Sequence, residues 1–127
     1  VSPRAAALIA IAIGGAIGAL GRAGLVEALP ASRWPVATLF ANVGGTLLLA
    51  VLAALIAFRP RLPHWLHPLV AVGFCGSLTT FSAMQVEAVL LMRAGMSTDA
   101  VLYVATSVVL GLMAAVAGRR AVQVAGR

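Results

Sequence analysis

Lysine is absent from this chain of 127 residues, acids number only three (Glu27, Glu87 and Asp99), and cysteine occurs once, at Cys75. A single cysteine excludes an intrachain disulfide and any multi-cysteine metal site. Two histidines, His64 and His67, lie in a proline-rich stretch without further ligands and read as solvated. With Cys75 and three scattered acids they assemble no nucleophile, base and orienter, so an enzyme is not expected. Basic residues gathered on one face with stacking aromatics are missing too, which argues against a nucleic-acid partner. With 9% charged and 62% hydrophobic residues, the chain has too little polar surface to coat a soluble globule. These scarcities predict an integral membrane protein.

Four charge-free runs are present: Ala5–Gly21, Val36–Phe58, Pro68–Val86 and Ala100–Gly118. Each holds roughly 17 to 23 residues, a helical rise of about 26 to 34 Å against a hydrocarbon core of about 30 Å. The pattern predicts an all-α fold of four transmembrane helices, over about 5–21, 36–58, 68–92 and 100–118, in one membrane domain spanning 1–127. No small-residue cleavage site followed by a polar mature domain accompanies the first run, so it reads as a retained span. Trp34 and Trp65, set among prolines in the first two connections, read as interfacial anchors. In the third connection, Ser97 or Thr98 is the expected N-cap of the last helix. All nine cations are arginines, and six of them (Arg4, Arg59, Arg61, Arg119, Arg120, Arg127) share one side, against Arg22, Arg33 and Arg93 on the other. That bias predicts cytoplasmic termini, and it is weak enough to leave insertion in both orientations open.

Three spans carry uncharged polar stripes. Thr38, Asn42 and Thr46 recur every four residues and share a helical face beside Gly44 and Gly45; Tyr103, Ser107 and Gly111 do the same in the last span. Such groups face protein or a polar path, as interhelical glue or as a conduit. The run Gly73-Phe-Cys-Gly-Ser-Leu-Thr-Thr-Phe-Ser82 is rich in glycine and hydroxyls. A break there would free carbonyls near Gly76 and Thr79, which attract cations, and expose hydroxyls and the Phe81 ring edge, which attract anions. Phe81, Met84 and Gln85 follow at helical spacing and read first as core. Gly14 and Gly18 have the close-approach spacing of helix contacts, within the chain or between subunits. Cys75 reads as a small apolar filler. Glu87 follows the third charge-free run and is expected near the interface, which leaves the membrane interior without a proton-relay carboxylate.

Three motifs resemble the Fluc (CrcB) family of fluoride channels: Gly15-Ala-Ile-Gly-Ala-Leu-Gly-Arg22, Thr38-Leu-Phe-Ala-Asn42-Val-Gly-Gly45 and Gly73–Ser82, with Tyr103 and Ser107 fitting a fourth helix. The resemblance implies a passive channel that exports fluoride, an antiparallel (dual-topology) homodimer with two pores, and residence in a bacterial-type inner (cytoplasmic) membrane. It further implies a third helix broken mid-membrane and a structural sodium ion at the dimer interface, held by the backbone carbonyls of Gly76 and Thr79. Asn42, Phe81, Ser107 and Thr80 would line the fluoride pathway, with Thr38 and Tyr103 nearby and Arg22 toward a vestibule. Three positions depart from the family pattern. Ser77 stands in its Gly-Gly pair, Gly111 stands where many members have a hydroxyl, and Met84 stands at its second pore phenylalanine. A methionine there lacks the electropositive ring edge. The competing readings are a small four-helix multidrug or metabolite exporter, which calls for a carboxylate in the first helix, and a nonconducting partner subunit of a heterodimeric fluoride channel.

Overall fold

The computed structural model describes residues 1–58 and 62–126; the part of the second connection at 59–61, with Arg59 and Arg61, and Arg127 lie outside the described residues. The described chain is helical. Helix α1 (Pro3–Ala28) opens on Ser2, whose hydroxyl accepts from the Ala5 N–H at 3.2 Å, with proline in the first turn. It closes at Leu29, held extended at φ −89° and ψ 131° because the next residue is Pro30. Helix α2 runs over Val36–Phe58. The third span is composite. Its first half, α3, is π-helical over His67–Cys75 and continues as α-helix over Gly76–Leu78; Thr79 and Thr80 are extended, and α4 (Phe81–Arg93) follows. Gly95, at φ 78°, takes the left-handed turn that leads into α5 (Ser97–Ala125). Four segments are long and apolar enough to cross a membrane: Pro3–Ala28, Val36–Phe58, His67–Arg93 and Ser97–Ala125.

Pairing follows side-chain size. Helix α1 lies along α3, α2 along α5, and α4 on α5. The first pair meets backbone to backbone: a Cβ added at Gly14 would come within 2.0 Å of the Leu69 carbonyl oxygen, and one at Gly18 within 2.3 Å of that of Phe74. From the other side, a Cβ on Gly73 would meet the Ile11 carbonyl oxygen at 2.6 Å. The glycines of α1 and α3 thus interlock within one chain, the close approach that small residues permit where lipid supplies no hydrophobic drive between helices. Gly118 serves the second pair in the same way, against the Leu47 carbonyl and Ala50. Met84, Ala88, Leu91, Ala100 and Tyr103 form the buried cluster between α4 and α5, with Trp34, Leu39, Met96 and Val104 packed on it.

Two local expectations are corrected. Helix α1 does not end at Gly21. Good helix formers carry it on through Arg22 and Glu27 to Ala28, so the first helix does hold a carboxylate, in its last turn. The last helix is not capped by Ser97 or Thr98, because Gly95 turns the chain one residue earlier and Met96 occupies the cap with no side-chain bond. Its first turn carries Asp99, which complements the positive end of the helix dipole. Glu87, expected near the interface, is bonded to hydroxyls on two other helices.

The interlock can be measured. Gly14→Ala and Gly18→Ala should each lower stability by about 1–3 kcal/mol, the usual cost of overpacking, since backbone atoms cannot step aside. Gly24→Ala, on the same helix with nothing within 4 Å, should be neutral or slightly stabilising. Thermal unfolding in detergent, followed by circular dichroism, compares them.

Candidate functional site around Thr80

Two extended residues inside a membrane segment leave backbone groups that a helix would have satisfied. Asn42 on α2 answers both of those on Thr80. Its Oδ1 accepts the Thr80 N–H at 2.7 Å, and its Nδ2 donates to the Thr80 carbonyl at 3.0 Å. The Thr80 hydroxyl in turn caps α4, accepting the Ala83 N–H at 3.2 Å, and lies 3.3 Å from the Ser82 hydroxyl. Thr79 bonds back within its own helix, from Oγ1 to the Cys75 carbonyl at 2.8 Å. Gly45 lets α2 close on it, since a Cβ there would lie 2.3 Å from Thr79 Cγ2.

This bonding frees acceptors. The Thr80 N–H would reach the Gly76 carbonyl in a continuous helix, and the Ala83 N–H would reach that of Thr79; Asn42 and the Thr80 hydroxyl take them instead. Beside Gly76 there is open space, with nothing within 4 Å of an added Cβ.

Three hollows meet at Thr80. The first, about 680 Å³, is lined among others by Arg22, Glu27, Thr38, Thr80, Ser82 and Glu87. A second is lined by Arg22, Gly76, Ser77, Thr79, Thr80 and Phe81, and a third by Asn42, Thr46, Cys75, Thr79, Thr80 and Phe81. Phe81 itself is 68% exposed, its ring standing out from the helix surface. Hydroxyl and amide donors, a guanidinium and an aromatic ring edge therefore border hollows that share Thr80, a donor set suited to a small anion, with the carboxylates of Glu27 and Glu87 confined to the first.

Residues 9–119 match the family described as CrcB-like protein, Camphor Resistance (CrcB). The chain belongs to the CrcB family. Its sequence is similar to "Fluoride-specific ion channel FluC 2" of Geobacillus kaustophilus, 43% identical over 118 residues that cover 91% of this chain and 92% of the relative. It is likewise similar to a relative of the same description from Symbiobacterium thermophilum, 46% identical over 114 residues, covering 87% and 92%. "Fluoride-specific ion channel FluC 1" of Mycobacterium tuberculosis is 41% identical over 109 residues, covering 84% and 83%.

Among the CrcB-family positions named from sequence, the fold brings Arg22, Thr38, Asn42, Thr80 and Phe81 to the hollows. Tyr103 is fully buried and reaches them through Glu87. Ser107 is half-buried, and its hydroxyl is turned back on the Tyr103 carbonyl at 2.7 Å. Met84 lies in the apolar cluster, 7% exposed.

Glu87 is the functional candidate that sequence patterning missed. One carboxylate oxygen accepts from the Thr38 hydroxyl at 2.6 Å and the other from the Tyr103 hydroxyl at 2.7 Å. The signal was there in spacing: Thr80, Met84 and Glu87 follow one another at i, i+4 and i+7 on one face. Hydroxyls at buried Thr38 and Tyr103 also had to find acceptors. Deleting either hydroxyl, by Thr38→Val or Tyr103→Phe, strips a bond from a part-buried carboxylate. Each should cost about 1–3 kcal/mol, and the double variant less than the sum, because the two hydroxyls share one carboxylate. Melting curves of the four proteins in detergent decide it.

Proposed function

We propose that this chain is a passive fluoride-selective channel that lets cytoplasmic fluoride leave down its gradient. The observation that carries the reading is the pairing of the Asn42 amide with both backbone groups of Thr80, which stabilises an extended pair of residues and opens donor-lined space on either side. The relatives' descriptions as fluoride-specific ion channels support the choice of ion. An amide nitrogen carries two hydrogens, and Nδ2 commits one to Thr80, which leaves the second for an anion in the hollow beside Phe81. The Thr80 and Ser82 hydroxyls share one hydrogen bond between them, so one hydrogen remains to turn toward the path. Thr38 and Tyr103 spend theirs on Glu87 and flank the route. Arg22 draws anions to the mouth, while among the described residues no other cationic side chain lines the hollows deeper in to trap them; weak, multiple sites are what fast exit requires. Fluoride is the smallest halide and needs the tightest donor shell, so close hydroxyl and amide donors favour it over chloride.

The assembly that fits this reading is an antiparallel homodimer in the inner membrane with two pores, the extended pair lying at mid-membrane. A single subunit leaves Phe81 and much of its apolar helix surface uncovered. Across a dimer interface Phe81 and Ser107 would meet the path from a partner's side, while Met84 stays in its own chain's apolar cluster. The sodium ion that the family resemblance implies fits the donor set: hard carbonyl oxygens of Gly76 and Thr79 whose helical donors are diverted, with space beside Gly76. It would supply a fixed positive charge that ties the two α3 ends together.

Purified protein in fluoride-loaded liposomes should release fluoride to an electrode well above empty vesicles, with no matching chloride efflux; vesicles that retain fluoride would refute the channel. Asn42→Asp removes the amide donor and sets a negative charge in the path, so flux should fall by at least about ten-fold, one such contact being worth about 1.4 kcal/mol or more. For the assembly, Arg4→Cys and Arg93→Cys in a Cys75→Ala background should each label from one face in about half the molecules. Labelling of all molecules or none would mean one orientation.

A further inference from the structure

Outside the hollows, a second polar cluster ties the connection between α1 and α2 to the start of α5. The Asp99 carboxylate holds two partners at once: Oδ2 takes the Arg33 guanidinium, and Oδ1 accepts from the Trp34 indole Nε1 at 3.2 Å. Trp34 then stands edge-on to Tyr103, ring centroids 6.1 Å apart and planes at 70°. Tyr103 passes its hydroxyl to Glu87 at 2.7 Å. A continuous line of contacts thus runs from Asp99 in the first turn of α5, through an indole on the connection between α1 and α2, to the carboxylate that lines the hollow of about 680 Å³.

The two arms of Asp99 differ in weight. Arg33 keeps 67% of its side chain exposed, so the ion pair is screened and adds little. Trp34 is half-buried against the α4/α5 cluster, where an indole N–H needs a partner and an edge-to-face ring contact fixes orientation. Tyr103 is fully buried, and the freedom it retains is rotation about its own side-chain torsions. The Trp34 edge restricts that rotation.

We propose that Asp99 is a positioning residue that, through the Trp34 indole, holds the Tyr103 ring so that its hydroxyl stays on Glu87. The consequence for fluoride passage rests on the channel reading, since it requires Tyr103 and Glu87 to flank the path. Asp99 touches no ion; it acts two residues removed from the hollow.

The test separates the two claims. In a Trp65→Phe background Trp34 is the sole tryptophan, and its emission reports the clamp whether or not the protein conducts. Asp99→Ala should shift that emission to longer wavelength, whereas Asp99→Asn, which keeps an oxygen for the indole and drops the ion pair, should leave it in place. In liposomes, Asp99→Ala and Tyr103→Phe should each slow fluoride efflux by about ten-fold, the usual weight of an outer partner that orients a working group. The double variant should be no slower than Tyr103→Phe alone, and Asp99→Asn should retain most of the flux. If Asp99→Ala does not fold, Trp34→Phe, which keeps an aromatic edge without the N–H, is compared by efflux alone and should show the same slowing of about ten-fold. Unmoved emission in Asp99→Ala, unchanged flux in Tyr103→Phe, or additive losses in the double variant would each overturn the proposal. If the unmodified protein releases no fluoride, the channel reading fails alone, and emission still decides the clamp.

Discussion

Everything near the site depends on one side-chain amide. A peptide unit outside a helix has an N–H and a C=O to satisfy, and hydrocarbon offers neither donor nor acceptor. Asparagine is the short side chain that presents both at the right separation, and Asn42 spends them on Thr80 at 2.7 and 3.0 Å. The extended residues, the cap on α4, the diverted donors of Gly76 and Thr79 and the space around Phe81 all follow from that pairing. An aspartate or leucine of similar size would supply half of it or none.

The broad plan was legible because membrane solvation is a blunt constraint. Four apolar runs had to become helices, and the stripes at Thr38, Asn42, Thr46 and at Tyr103, Ser107 had to turn away from lipid; Thr38 is buried and Asn42 and Thr46 are half-buried, each hydrogen-bonded. The Gly14 and Gly18 spacing signalled contact, and the contact is with α3. What escaped was whatever depends on an exchange of partners between distant segments. The neighbours of Glu87 in sequence say nothing of its partners, which are hydroxyls on two other helices. Helix ends escaped for a related reason: charge marks where lipid stops, whereas Leu29 before Pro30 and the turn at Gly95 mark where the helix stops. The π-helical course of His67–Cys75 has no signal in the sequence that we recognise.

Polar accounting in the interior is complete: among the described residues, every buried side-chain nitrogen and oxygen has a hydrogen-bond partner. The bonds are nevertheless distributed unevenly. Helices α1 and α3 are joined by bare backbone, α2 and α5 by small residues, and the side-chain bonds between helices concentrate where α2 meets the third span, at Asn42 and Thr38, and where Tyr103 meets Glu87. Cohesion and polarity therefore occupy different seams.

The glycine interlock has a mechanical meaning. Where side chains separate two helices, rotamer changes can absorb a displacement; where carbonyls rest on Cα atoms there is nothing to compress. Helix α1, with Arg22 near its end, and α3, which stops at Leu78, thus form one stiff body, and both border the hollow at Thr79 and Thr80. The spacing between the charged mouth and the extended pair is fixed by a gauge block of backbone, so thermal motion of the surrounding lipid can tilt the two together without changing the gap between them.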